Sequence, residues 1–101
     1  MPLCGGLGAK KPVDDSVRDI CGKMKAEFFQ RSGMNTDTFE PVEYKTQLVA
    51  GVNYFIKVHV GDEEYAHLRV YKTLPHAGET LSLTAFQINK KRDDDIVHFE
   101  P

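Results

Sequence analysis

The sequence predicts an α+β domain in which an antiparallel sheet of four to five strands wraps around one long N-terminal α-helix. Three observations carry this reading. Val13, Val17, Ile20, Cys21, Met24 and Phe28 recur at spacings of four, three, one, three and four, which is one face of a 3.6-residue helix. Val52, Tyr54, Ile56, Val58 and Val60 alternate with Asn53, Phe55, Lys57 and His59, the period of a strand. The turn sequence Gly61-Asp62-Glu63-Glu64 then returns the chain as a second alternating run, with Ala66, Leu68 and Val70 against Tyr65, His67, Arg69 and Tyr71. A helix followed by a run of strands is the α+β pattern.

Residues 1–12 hold Gly5, Gly6, Gly8, Pro2 and Pro12, too little to pack, and read as a flexible trunk in front of a single domain spanning 1–101. The helix covers 14–32. Asp14, Asp15 or Ser16 can cap its start, Asp19 adds negative charge to the first turn, and Gly33 is a natural stop. Gly22 weakens the helix relative to Ala and is expected to mark close contact with the sheet. A polar connection follows, and Thr38–Thr46 forms the first long strand, with Pro41 signalling a bend, a bulge or an edge near its start. The paired strands are expected to turn one face to the helix and the other to water. Leu74-Pro75-His76-Ala77-Gly78-Glu79 is the next turn, and Thr80–Asn89 the last strand. Its apolar parity switches between Leu83 and Phe86, which predicts a bulge or a bend. Lys90–Asp95 is a charged surface turn, after which Ile96, Val97 and Phe99 suggest a short terminal strand.

Composition excludes several function classes. With 41% apolar and 28% charged residues and a net charge of −2, the chain reads as a globular domain suited to neither nucleic acid nor an anionic membrane. No apolar run approaches the ~20 residues of a membrane helix. The start lacks the apolar core of a signal peptide, so a cytoplasmic place is expected. Two cysteines do not make a disulfide scaffold. Cys21 falls on the apolar helical stripe and reads as a buried hydrophobe. Cys4 sits in a glycine-flanked segment that offers no frame for a catalytic base. The four histidines find no carboxylate or thiol partners at a metal-binding spacing, although His59 and His67 fall on neighbouring strands. No cofactor, metal or catalytic group is indicated.

Gln47-Leu48-Val49-Ala50-Gly51 stands out because it is an apolar run between two strands, where a turn ordinarily carries polar residues. Apolar residues at a turn are surface offered to a partner; as ends of the flanking strands, they would instead be buried in the ordinary way. Leu74-Pro75 opens the later turn in the same apolar manner.

These stretches resemble the cystatins. Gln47–Gly51 fits a QxVxG signature, Leu3-Cys4-Gly5-Gly6 resembles a glycine-bearing trunk, and Leu74-Pro75-His76 resembles the second hairpin of the stefins, the type 1 cystatins. The run Asn53–Glu63 is similar to a stefin strand. The resemblance implies a reversible, tight-binding inhibitor of papain-like cysteine proteases, of the cathepsin B, H, L and S type. It also implies that Leu3, Cys4, Gly5, Gln47, Leu48, Val49, Ala50, Gly51, Leu74, Pro75 and His76 meet the protease. A monomer is expected, with exchange of a helix–hairpin unit through the first hairpin as a route to a dimer. A scaffold that uses the fold without inhibiting, and a small enzyme working through Cys4 or the histidines, stay open at this point.

Overall fold

The computed structural model describes residues 6–101. Its elements run β1 (Lys11–Pro12), α1 (Asp15–Ser32), β2 (Glu40–Val49), β3 (Gly51–Gly61), β4 (Glu64–Lys72), a short 3-10 turn (Pro75–Ala77) and β5 (Leu81–Lys90). The strands form one antiparallel sheet in the order β1-β2-β3-β4-β5. No helix among the described residues is long and apolar enough to cross a membrane.

The helix begins where the sequence places it. Asp14 is the N-cap, and its carboxylate accepts from the Val17 amide at 2.9 Å, satisfying a donor the first turn leaves open. Gly33 ends the helix in the left-handed region at φ 76°, with its amide donating to the Phe29 carbonyl at 3.0 Å. Val17, Ile20, Cys21, Met24 and Phe28 are buried against Tyr44, Ile56, Val58, Ala66, Leu68, Val70 and Leu83. Each such burial contributes about 1.5–3 kcal/mol before chain entropy is counted. Gly22 differs from the expectation: it is exposed, and a Cβ built there meets nothing within 4 Å. The sheet contacts the opposite face of the helix, so this glycine has no packing role.

Both irregularities expected from the sequence are register shifts of the bulge kind. The β2–β3 register shifts between Pro41 and Glu43, and the β4–β5 register shifts between Val70↔Leu83 and Arg69↔Ala85, leaving Thr84 as the extra residue. Bulges bend and twist a strand, which lets the sheet curl around α1.

The other face of the sheet departs from the reading that it meets water. Phe55 and Ala85 are buried there, under Ile96 and Phe99 of the C-terminal tail. The tail is not a strand: residues 94–101 have no ladder partner. Instead, basic side chains of the sheet hold its carbonyls. Lys45 Nζ donates to Ile96 O at 2.8 Å, and Arg69 Nη1 donates to Phe99 O at 2.7 Å. Lys57, 1% exposed, donates to Asp94 O at 2.6 Å and also to Arg92 O. A lysine can bury its stem in this way when its head finds acceptors.

Candidate functional site

Register places two turns at one rim of the sheet. Val49 pairs with Gly51, so Ala50 is the tip of the β2–β3 hairpin. Val52 pairs with Lys72, so β4 leaves the sheet beside that tip and turns at once through Leu74-Pro75-His76. The N-terminal segment runs toward the same rim. Lys11 pairs with Tyr44, Pro12 pairs with Glu43, and the Gly8 amide donates to Thr46 O at 2.8 Å. Thus residues 8–12 of the expected trunk lie along β2, and the chain toward Gly6 continues in the direction of Leu48.

The first hairpin is stiff at its base and apolar at its tip. Gln47 turns inward and is buried, with its Oε1 accepting from Asn53 Nδ2 at 3.0 Å. Leu48 is 74% exposed and Val49 is 38% exposed, although Gln47 beside them is buried. Gly51 sits at φ 122°, outside what L side chains adopt, and a Cβ there would strike the Lys72 carbonyl and the Tyr71 ring. The Tyr71 hydroxyl donates to Ala50 O, fastening the tip to β4.

The second turn is closed by its own backbone. The Thr73 amide donates to Thr80 O at 3.0 Å, the Thr80 amide to Thr73 Oγ1 at 2.8 Å, and the Gly78 amide to Pro75 O at 3.0 Å. Gly78 takes a left-handed φ of 95°, which lets the turn reverse. Leu74 is 38% exposed, and Pro75 and His76 face solvent. The two turns therefore present Leu48, Val49, Ala50, Leu74 and Pro75 together, without a charged side chain among them. Leu3, Cys4 and Gly5 lie outside the described residues.

The sequence reading did not find Asn53 and Tyr71, which support the tip from below. Tyr71 lies opposite Asn53, next to Gly51, but an unbroken count of register outward from the Gly61↔Glu64 pair puts Lys72 there instead. That count needs the turn to be fixed to the residue, and the irregularity between His59 and Gly61 obscures it.

Reactive groups lie elsewhere or are muted. Burial pushes the Cys21 thiol up to about 12, with the Glu40 charge adding to it. His67 is fully buried and its pKa is lowered to about 4, first by burial and then by the charges of Lys57 and Lys90. Across the strands His67 lies opposite Lys57, while His59 pairs with Tyr65 and bonds through Nε2 to Asp62 O at 2.7 Å. A cleft of about 630 Å³ is lined by His59, Asp62, Glu63, Tyr65 and Lys91 at the end of the sheet away from the two turns. No group of three or more His, Cys, Asp or Glu among the described residues could hold a metal ion.

The rim thus carries exposed apolar side chains on a hydrogen-bonded hairpin, at one end of a sheet packed on a single helix. The cystatin domain family model matches residues 5–93, and the chain belongs to the cystatin family. It is 40% identical to Cystatin-B of Macaca fuscata fuscata over 97 residues, 96% of this chain and 99% of that protein. It is 42% identical to Cystatin-A of Homo sapiens over 95 residues, 94% of this chain and 97% of that protein. It is 38% identical to Leukocyte cysteine proteinase inhibitor 1 of Sus scrofa over 97 residues, 96% of this chain and 94% of that protein. These relatives make it a stefin-type cystatin, in a family of cysteine protease inhibitors rather than enzymes.

Proposed function

We propose that this inhibitor blocks papain-like cysteine proteases by filling the active-site cleft, reversibly and without covalent chemistry. The observation that carries the reading is the exposure of Leu48 and Val49 on a hairpin whose base is buried and hydrogen-bonded. A preformed hairpin loses little entropy on docking, so a modest patch binds tightly. Burying Leu48 alone contributes about 1.5–3 kcal/mol, and a protease–inhibitor interface typically covers about 1,600 Å².

In this mechanism Gln47, Leu48, Val49, Ala50 and Gly51 form the central wedge, and Leu74, Pro75 and His76 fill the neighbouring stretch of the cleft. Leu3, Cys4 and Gly5 lie on the substrate side, with Leu3 in an apolar subsite and Gly5 letting the backbone pass close to the enzyme. The wedge offers no peptide bond to the catalytic cysteine, so occlusion suffices. The enzymes met are of the cathepsin B, H, L and S type, and the chain acts as a cytoplasmic monomer. Exchange of the α1–β2 unit between two copies would open the Ala50 turn and abolish inhibition, which size-exclusion chromatography of active and inactive fractions would reveal.

The test is a panel of inhibition constants against papain and several cathepsins, with active-site titration. Stoichiometric inhibition, recovered on dilution, supports the reading. Failure to inhibit any of them, or a covalent adduct by mass spectrometry, overturns it.

A further inference from the structure

We propose that the C-terminal tail positions the N-terminal trunk for the protease, and that Leu7 is the side chain through which it does so. This rests on the occlusion reading above. Leu7 is the first described residue with a side chain, since Gly6 precedes it. It packs against the cluster of Phe55, Ala85, Ile96 and Phe99 on the outer face of the sheet. Ile96 and Phe99 belong to the tail, so the two ends of the chain share one small apolar core.

The tail can serve as a fixed wall because the sheet holds it at three points. Lys45 binds Ile96 O at 2.8 Å and Asp95 Oδ1 at 3.1 Å, Lys57 binds Asp94 O, and Arg69 binds Phe99 O. The amide next to Leu7, that of Gly8, is paired with Thr46 O. One backbone bond leaves a segment free to swing, whereas a bond together with a partly buried side chain restricts its direction. The described part of the trunk is therefore held at Leu7 and Gly8, against a cluster to which the tail contributes Ile96 and Phe99. Holding that part in the free inhibitor lowers the ordering cost on docking. Leu7 is a positioning residue here, as are Ile96 and Phe99; none of them has to touch the enzyme.

The experiment measures dissociation from papain for the full chain, Leu7→Ala, Ile96→Ala, a chain lacking residues 1–5, and Ile96→Ala in that shortened chain. Lys45→Gln loosens the tail without cutting into the apolar cluster and guards against a folding defect. Urea unfolding verifies each variant, and exchange of the Gly8 amide reports the trunk directly. Removing 1–5 is expected to speed dissociation. Leu7→Ala and Ile96→Ala are each expected to speed it about 3- to 10-fold in the full chain, and Ile96→Ala hardly at all in the shortened chain. Gly8 exchange rises in Ile96→Ala and Lys45→Gln. If removing 1–5 changes nothing, the trunk has no part in occlusion and the proposal falls with that part of the reading. If removal speeds dissociation but Ile96→Ala and Lys45→Gln do not, the tail proposal alone is overturned. An equal effect of Ile96→Ala in both chains also overturns it, because the tail would then act on the enzyme or the hairpins directly.

Discussion

The hydroxyl of Tyr71 donates to the carbonyl oxygen of Ala50, tying the strand that feeds the second turn to the tip of the first. The tip of the first turn is thus fastened to the strand that leads into the second. Tyr71→Phe keeps the ring and removes the bond. With a net value of about 1 kcal/mol for such a bond, inhibition of papain should weaken roughly 5-fold while the melting temperature moves little. An unchanged inhibition constant would mean that the hydroxyl does not shape the tip.

Gly51→Ala attacks the same hairpin through the backbone. The residue sits at φ 122°, and the added methyl would meet the Lys72 carbonyl, which cannot move without breaking β4. Strain of this kind costs roughly 1–3 kcal/mol, and relieving it displaces Ala50. Both urea stability and inhibition should fall. A variant that keeps full affinity would show that the local backbone is softer than its contacts suggest.

His67 makes stability depend on pH. It is buried opposite Lys57, neither ring nitrogen has a hydrogen-bond partner among the described residues, and its pKa drops to about 4. Burial is the first cause and the Lys57 and Lys90 charges the next, with Asp94 and Asp95 opposing them. The unfolded chain takes up a proton near pH 6.5 and the folded one only near 4, so stability falls as pH drops through that window. The loss amounts to roughly 3 kcal/mol at its lower end. His67→Leu forfeits no hydrogen bond and should flatten the dependence, as read by urea unfolding at pH 7 and pH 4.5. An equal slope in the variant would assign the acid sensitivity to other groups.

The parts of this fold that rest on local chemistry were readable before the structure. Asp14 and Gly33 bracket the helix because caps are made by their own residues, and the two irregularities show in Pro41 itself and in the parity switch between Leu83 and Phe86. The outer face was not readable. Phe55 and Lys57 occupy the parity of solvent-facing residues, and only the tertiary position of Ile96 and Phe99 buries them. Lysine in particular reads as exposed, since its burial depends on the carbonyls of Arg92 and Asp94, far along the chain. Leu48, Val49 and Leu74 stood out because apolar residues at turns conflict with local rules; Asn53 and Tyr71 did not, because they obey the strand pattern.

Cys21 should be silent as a thiol. With its pKa raised to about 12 it holds almost no thiolate at neutral pH, and the helix and sheet close over it. Iodoacetamide at pH 8 should leave the Cys21 peptide unmodified in the native protein and label it fully in guanidinium, by mass spectrometry. Rapid native labelling would place frequent opening at the middle of the helix.

The most direct measurement is the papain inhibition constant of Val49→Asp. A carboxylate at the wedge would have to be buried unpaired in the cleft, so inhibition should weaken by about 100-fold or more, on the order of 3 kcal/mol. Because Val49 is partly exposed in the free protein, the melting temperature should stay close to that of the parent chain. Parental inhibition in a folded Val49→Asp protein would contradict the account, since the cleft would then be filled by something other than this hairpin.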